Sequence, residues 1–521
     1  MTAAGNKDSE DLAEFGYSQT LDRSIGKFAS FAAGISYISI LTGTFQLFYF
    51  GFAFGGPAYW WSWPMVFVGQ LMVALCFAEL AGRYPVAGSV YNWSKRLGSA
   101  TTSWLAGWVM FTASVVTLTA VVLAYQITLP QIWSGFQLVG DGTGDTDFAV
   151  SAVIWGAILI LFTTLVNAFG VKLMSRINSA GVFIELVAAV LLVVLLAVNI
   201  VNPPSVIVDT QGLGSDSSLG YLGAFLVASL ASAYVMYGFD TASSLGEETV
   251  DPRRTAPKAI LRAVIASFVI GGLILLFAIL AAPNLGDPAL GTSAGGLQLI
   301  VLQALGTNLG KVFLVCIVVA VTVCALAVHT AGIRLMFAMA RDNALPGGAR
   351  LARIDPRRKT PVVPAVLIGV VAILILVVNI GEPKIFTAVT SVAVIMIYLA
   401  YLLVTAPMLR KRLRGEWPEP GGSTGYFSLG RFGLPVNILA VVWGAAMALN
   451  LAWPRSEVYG EGALAWIAFI FIGAIVVIGL AWYLAKGRHQ VGTLPEHMAK
   501  QFALDPTIPP ATESFPEGSQ A

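Results

Sequence analysis

Twelve apolar runs of membrane length punctuate the chain, near residues 28–53, 58–81, 103–130, 148–169, 179–202, 221–245, 259–283, 311–340, 362–380, 385–409, 434–454 and 463–485. Short charged or Gly/Pro-rich stretches separate them. A bilayer core takes about 20 apolar residues as a helix, so the pattern predicts an all-α integral membrane protein with twelve spans. The segments divide as an N-terminal tail (1–27), segments one to five (28–202), six to ten (203–409), eleven and twelve (410–485) and a C-terminal tail (486–521). The last 35 residues or so, rich in Pro and Glu, have no apolar core to fold around.

Two segments break the apolar pattern in equivalent places. The first, FASFAAGISYISILTGTFQLFYFGFAFGG, has a middle of small and hydroxylated residues: Gly34, Ser36, Ser39, Thr42, Gly43 and Thr44. The sixth carries Gly238 and Asp240 beside Tyr234, Tyr237 and Phe239. A carboxylate in hydrocarbon is costly unless it faces protein or water, and glycine weakens the helix next to it. The alternatives are a packing role for the small residues of the first segment and an Asp240 that caps a kinked helix. As broken helices five segments apart, the pair fits two inverted repeats of five. Interrupted segments in matching halves point to a transporter's midplane site. A broken helix offers N–H groups to a carboxylate and C=O groups to an ammonium. A zwitterion would then set its carboxylate near Thr42 and Gly43 and its amino group near Tyr234 and Tyr237.

Composition agrees with this reading: 57% of the 521 residues are hydrophobic and 11% charged, against about 25% charged in soluble domains. The net charge of +2 carries no nucleic-acid signal. Its distribution orients the chain. With the N-terminus inside, the cytoplasmic ends collect Arg23, Lys27, Arg83, Lys95, Arg96, Lys172, Arg176, Arg253, Arg254, Lys258, Arg262, Arg341, Arg350, Arg353, Arg357, Arg358, Lys359, Arg410, Lys411, Arg412, Arg414 and Arg431. The other side holds Lys311, Lys384 and Arg455, with Asp141, Asp145, Asp147, Asp209, Asp216 and Asp287. By the positive-inside rule both termini are cytoplasmic. The outer loops read as solvent loops. Cys76, Cys316 and Cys324 lie in apolar runs without metal or disulfide spacing and read as small buried hydrophobes. No GxxxxGK[ST] motif occurs, and no cytoplasmic loop is long enough for a nucleotide-binding module. Energy would come from a gradient or from exchange.

The chain resembles the amino acid–polyamine–organocation permeases, particularly the amino acid/choline branch. The markers are ISILTG in the first segment, AELAGRYPVAGSVYNW at 78–93, YGFDTASSLGEETVDPRRTAPKAIL at 237–261 and RLMFAMARDNALP at 334–346. The resemblance implies a leucine-transporter-like fold of five plus five helices with two more, no cofactor, and amino acids or related amines as cargo. It places the family's Gly-Ser-Gly turn on Leu41, Thr42 and Gly43, with leucine where a glycine is usual. It places the gating aromatic on Tyr234 and the acid linking site to gate on Asp240. Residues 82–93 resemble the element that closes the inward path, with Glu79 and Tyr84 as partners of basic groups. The fifth segment has Glu185 where proton-coupled relatives carry a lysine, and the eighth offers His329 and Thr330.

From these we expect Glu185 and His329 to line one cavity by the first segment and share a proton. Sodium held by Glu185 and Thr330, a cationic cargo group on Glu185, and a packed polar pair are the alternatives. The expected function is secondary active transport of an amino acid or an amine such as γ-aminobutyrate across the plasma membrane. The cargo could equally be choline or a polyamine. A channel would need repeated pore-lining charges or carbonyls, an enzyme clustered catalytic groups, and a receptor would not need two broken helices.

Overall fold

The computed structural model describes residues 21, 23–140, 144–215, 219–378, 380, 385–418 and 425–490. Most of both tails, and with them His497, lies outside the described residues, as do Asp141, Asp216 and Lys384. Besides the single turns Gly348–Leu351 and Ser456–Tyr459, the described helices are α1 (Lys27–Ile38), α2 (Ile40–Gly55), α3 (Ser62–Arg83), α4 (Ser89–Leu97), α5 (Ala100–Val122), α6 (Ala124–Ile132), α7 (Asp145–Phe169), α8 (Val171–Val198), α9 (Tyr221–Val235), α10 (Thr241–Ser244), α11 (Pro252–Ala281), α12 (Gly296–Leu305), α13 (Thr307–Arg341), α14 (Val362–Val378), α15 (Ile385–Leu413), α16 (Gly433–Ala452) and α17 (Ile467–Ala485). Among the described residues there is no strand, only one isolated bridge between Ile25 and Thr249. Among the described residues, ten helical spans are long and apolar enough to cross a membrane, and α9 and α14 are shorter apolar helices.

The bundle grades from a polar-lined centre to an apolar rim. The spans built from α1–α2 and α5–α6 are mostly buried, whereas α8 and α17 leave most of their side chains on the outside. Phe183, Leu191, Val194 and Val198 of α8 and Ile470, Val477 and Ile478 of α17 are exposed, as expected of helices whose solvent is hydrocarbon. The interior holds the hydroxylated and charged residues instead: Ser36, Ser39, Thr42, Glu79, Glu185, Asp240, Glu247, Glu248, His329 and Arg334 are all buried.

Three elements differ from the sequence reading. Helix α8 begins at Val171, so Lys172 and Arg176 extend the helix rather than sit in a loop; long basic side chains do this at a helix end by carrying their charge away from the apolar layer. Residues 82–93, read as a loop element, contain the start of α4, with Val90, Tyr91 and Trp93 buried. The stretch between α11 and α13, read from the sequence as an outer solvent loop, holds a helix: α12 lies in it and buries Leu297, Ile300 and Val301, because GLQLIVLQAL presents apolar residues at helical spacing.

Both interruptions are present, with different shapes. Ser39 alone separates α1 from α2, at φ 39° and ψ 91°. The second is longer: α9 stops at Val235, residues 236–240 are not helical, and α10 is a four-residue turn followed by the 3-10 turn Gly246–Glu248. Gly238 adopts φ +84° and its Cα faces the ring of Tyr37, so a β-carbon there would strike that ring. Gly238→Ala therefore adds left-handed strain of about 1–3 kcal/mol to a steric clash, and we expect a lower melting temperature in detergent than for Gly223→Ala, a control on α9.

Candidate functional site

The first interruption is organised by one carboxylate. Breaking the ladder at Ser39 leaves the opening amides of α2 without intrahelical acceptors. Glu185, on α8 and 2% exposed, reaches across: its Oε1 accepts from the Leu41 N–H at 3.2 Å and from the Ser39 hydroxyl at 3.0 Å. Ser39 Oγ is also 2.6 Å from Thr42 Oγ1. Oε2 of Glu185 is buried with no hydrogen-bond partner. The opposite end of the gap carries the last carbonyls of α1, and the Cys324 thiol donates to Tyr37 O at 3.5 Å.

This changes the expected site. Thr42 and Gly43 are not in an unwound turn; they lie in the first turn of α2, and the break falls at Ser39 instead. The amide end expected to receive a cargo carboxylate already holds Glu185. Gly43 serves close packing: a β-carbon there would come within 2.6 Å of Val235 Cγ2 on α9. Thr44, Leu47, Phe48, Tyr59, Trp63, Ala231, Ser232 and Leu275 surround it without leaving a water-sized space.

The second interruption is satisfied by Tyr401 of α15. The freed Gly238 N–H donates to the Tyr401 hydroxyl at 2.9 Å, which donates to Asp240 Oδ1 at 2.6 Å. Ser89, at the start of α4, donates to Asp240 Oδ2 at 2.8 Å and sits 2.9 Å from Ser244 Oγ. Asp240 does not cap α10 with its side chain; it joins α10 to α4 and α15. Three predicted aromatics converge nearby. Tyr237 lies edge-on to Tyr37 at 6.1 Å and to Tyr234 at 5.9 Å. Phe239 packs with Tyr401 at 5.4 Å. The Tyr234 hydroxyl donates to Gln46 Oε1 at 3.0 Å, and Gln46 Nε2 donates to Ala120 O at 2.7 Å, so α9, α2 and α5 are linked.

His329 is not joined to Glu185. Its Nδ1 is 3.0 Å from Thr163 Oγ1 and its Nε2 is 3.0 Å from Ala365 O, so it faces α7 and α14. A carbonyl only accepts, so Nε2 carries a proton. Thr330 Oγ1 lies 2.8 Å from Asn167 Oδ1 and 2.7 Å from Leu326 O. A side chain's facing on a helix depends on register to the neighbouring helices, which spacing along one segment does not reveal.

One end of the bundle is closed by a layer of buried ion pairs. Glu79 pairs with Arg412 and also accepts from Trp417 Nε1, Ser428 Oγ and Leu429 N–H, each at 3.1 Å. Tyr84 sets its ring against Trp417 at 5.9 Å. Glu248 meets Arg334 at 2.8 Å, Glu247 meets Arg341 at 2.9 Å, and Asp342 takes Lys95 at 2.6 Å and the Tyr91 hydroxyl at 3.0 Å. Glu247 also accepts from Ala87 N–H at 3.1 Å. The Glu248–Arg334 and Glu247–Arg341 clamp was missed from sequence. Its signal was two adjacent acids after a glycine break and two arginines seven residues apart, which share a helix face.

The family model for amino acid permeases matches residues 25–485. The chain belongs to the amino acid permease family. As a permease it is a multi-pass membrane protein of the amino acid–polyamine–organocation superfamily, and the resemblance seen in its motifs holds over most of its length. It is 26% identical over 496 residues to amino-acid permease BAT1 of Arabidopsis thaliana, covering 92% of this chain and 94% of that one. It is 26% identical to amino-acid permease 2 of Neurospora crassa, over 94% of this chain and 88% of that one. A methylthioribose transporter of Bacillus subtilis is 28% identical over 70% of this permease and 77% of its own length.

Removing one partner of a buried ion pair strands the other, at a cost of about 3–5 kcal/mol. We expect Arg334→Leu and Glu248→Leu each to lower the melting temperature sharply, and the double Leu variant to recover much of the loss. A double variant as unstable as the sum of the singles would show that the two side chains are not paired.

Proposed function

We propose that this permease is a secondary active transporter carrying a small amino acid or an amino-acid-like amine by alternating access, with the cargo held between the two interruptions. The observation that supports this best is the pairing itself: two interrupted helices meet at the centre of the bundle, with backbone polar groups, Glu185, Asp240 and a tyrosine cluster around them. Interrupted helices at membrane depth are tolerated where they line a site. We read twelve spans, counting the shorter α9 and α14, arranged as two five-helix repeats with α16 and α17 added. By the positive-inside rule we read both termini as cytoplasmic, and we assign the permease to the plasma membrane.

In that orientation the ion-pair layer closes the cytoplasmic side. It ties α4 and the segment after α10 to the end of α13, so opening inward requires those pairs to part. Aromatic faces at Tyr37, Tyr234 and Tyr237 suit an ammonium group. The relatives' names span amino acids and methylthioribose, which fits a scaffold whose pocket chemistry, not its fold, selects the cargo. Coupling is assigned to protons or to exchange, with Glu185 as the ionisable group in reach of the first interruption. A sodium site shared by Glu185 and Thr330 has less support, since Thr330 Oγ1 is turned toward Asn167.

The test is counterflow by purified protein in liposomes, over a panel of amino acids, amines, choline and polyamines, at two pH values and with or without sodium. We expect saturable counterflow of a small amino acid or amine that persists without sodium. Strict sodium dependence would replace the coupling assignment; counterflow of none of the panel would sink the cargo assignment.

A further inference from the structure

The first interruption is electrically the reverse of an open zwitterion site. A bare helix N-terminus attracts an anion through its amides and dipole. Here that position is filled from within the protein: Glu185 Oε1 takes the Leu41 amide and the Ser39 hydroxyl. No Lys or Arg is paired with Glu185 among the described residues, and Oε2 is buried with nothing to accept from. The neighbouring helix end adds to this negative character. The last carbonyls of α1 have no partners within the helix, and Tyr37 O receives a long contact from the Cys324 thiol, at 3.5 Å. A second carboxylate brought to α2 would sit beside the first. Like charges so close repel strongly inside a protein, where screening is weaker than in water.

We propose that Glu185 sets the polarity of cargo docking: the first interruption holds the cargo's ammonium group, through Glu185 Oε2 and the carbonyl end of α1, and rejects a carboxylate. This rests on the permease reading above and names the chemistry of that same site. Glu185 is then a specificity-determining residue. An α-amino acid carries its carboxylate one carbon from its ammonium and brings it against Glu185. A cargo whose carboxylate is set back by several methylenes, or absent, does not. The donors for a set-back carboxylate would be the buried Tyr37 and Thr117 hydroxyls, which neighbour each other and Tyr237.

Four probes separate the charges: alanine, γ-aminobutyrate, butylamine and butyrate. Each competes for counterflow by the full-length protein in liposomes and shifts its melting temperature in detergent, for the wild type, Glu185→Gln and Glu185→Asp. A charge-assisted hydrogen bond contributes about 1.5–3 kcal/mol, so its loss should exceed about tenfold in affinity. In the wild type, γ-aminobutyrate and butylamine should bind at least about tenfold more tightly than alanine, and butyrate should not bind. Glu185→Gln should lose butylamine by that factor and narrow the gap to alanine, while Glu185→Asp keeps the wild-type order. The inference is overturned if alanine outcompetes butylamine in the wild type, or if Glu185→Gln weakens all probes equally. Should the variants fail to fold, the wild-type ranking alone decides. Counterflow of a larger cargo with no competition from any probe would overturn the docking polarity for small amines while leaving the transporter reading standing. No counterflow at all would remove both.

Discussion

An opened backbone inside a bilayer has no water to turn to, and everything at the centre of this protein follows from that. Each peptide group released from a helix must find a partner from another segment, or it costs several kcal/mol. At Ser39 the partner is a carboxylate from α8. At Gly238 it is a phenol from α15, itself fixed by Asp240. The two interruptions therefore draw side chains inward from helices distant in sequence, and the positions of α8 and α15 against the central pair are tied to those contacts. Polar residues that would be ruinous on the lipid face become the glue of the interior.

The two solutions differ in what they leave over. Asp240 is satisfied on both oxygens, by Tyr401 and Ser89, so its charge is spent on joining the sixth segment to α4 and α15. Glu185 is satisfied on one. An acid with half its hydrogen-bonding capacity unspent in a dry interior is where new partners have most to gain. This asymmetry distinguishes the two buried acids, one in the gap before α10 and the other within α8.

Membrane class and the places of the two interruptions were legible from residue pattern, because hydrophobic length and intramembrane Gly and Asp are one-dimensional signals. Finer features were not. The residues ISILTG suggested a turn at Leu41–Gly43, yet the ladder breaks at Ser39, where the hydroxyl can join Glu185. His329 and Glu185 were expected together, but α13 presents His329 to α7 and α14. Which way a side chain faces in a bundle depends on helix rotation and packing against neighbours, and apolar residues on all sides of a span remove the periodicity that would reveal it. The helix α12 was hidden for the opposite reason: its loop context, full of Gly, Asp and Pro, masked ten residues of helical pattern.

The isolated bridge at the start of the chain ties these levels together. Ile25 donates its N–H to Glu248 O at 2.8 Å and accepts from Val250 N–H at 3.0 Å. Glu248 is the acid clamped by Arg334, and Ile25 leads directly into α1. The polypeptide's entry into the membrane is thus stitched to the ion-pair layer by main-chain bonds that any side chain would permit. A pull on Ile25 would therefore load the Glu248–Arg334 pair directly, two residues before α1 begins.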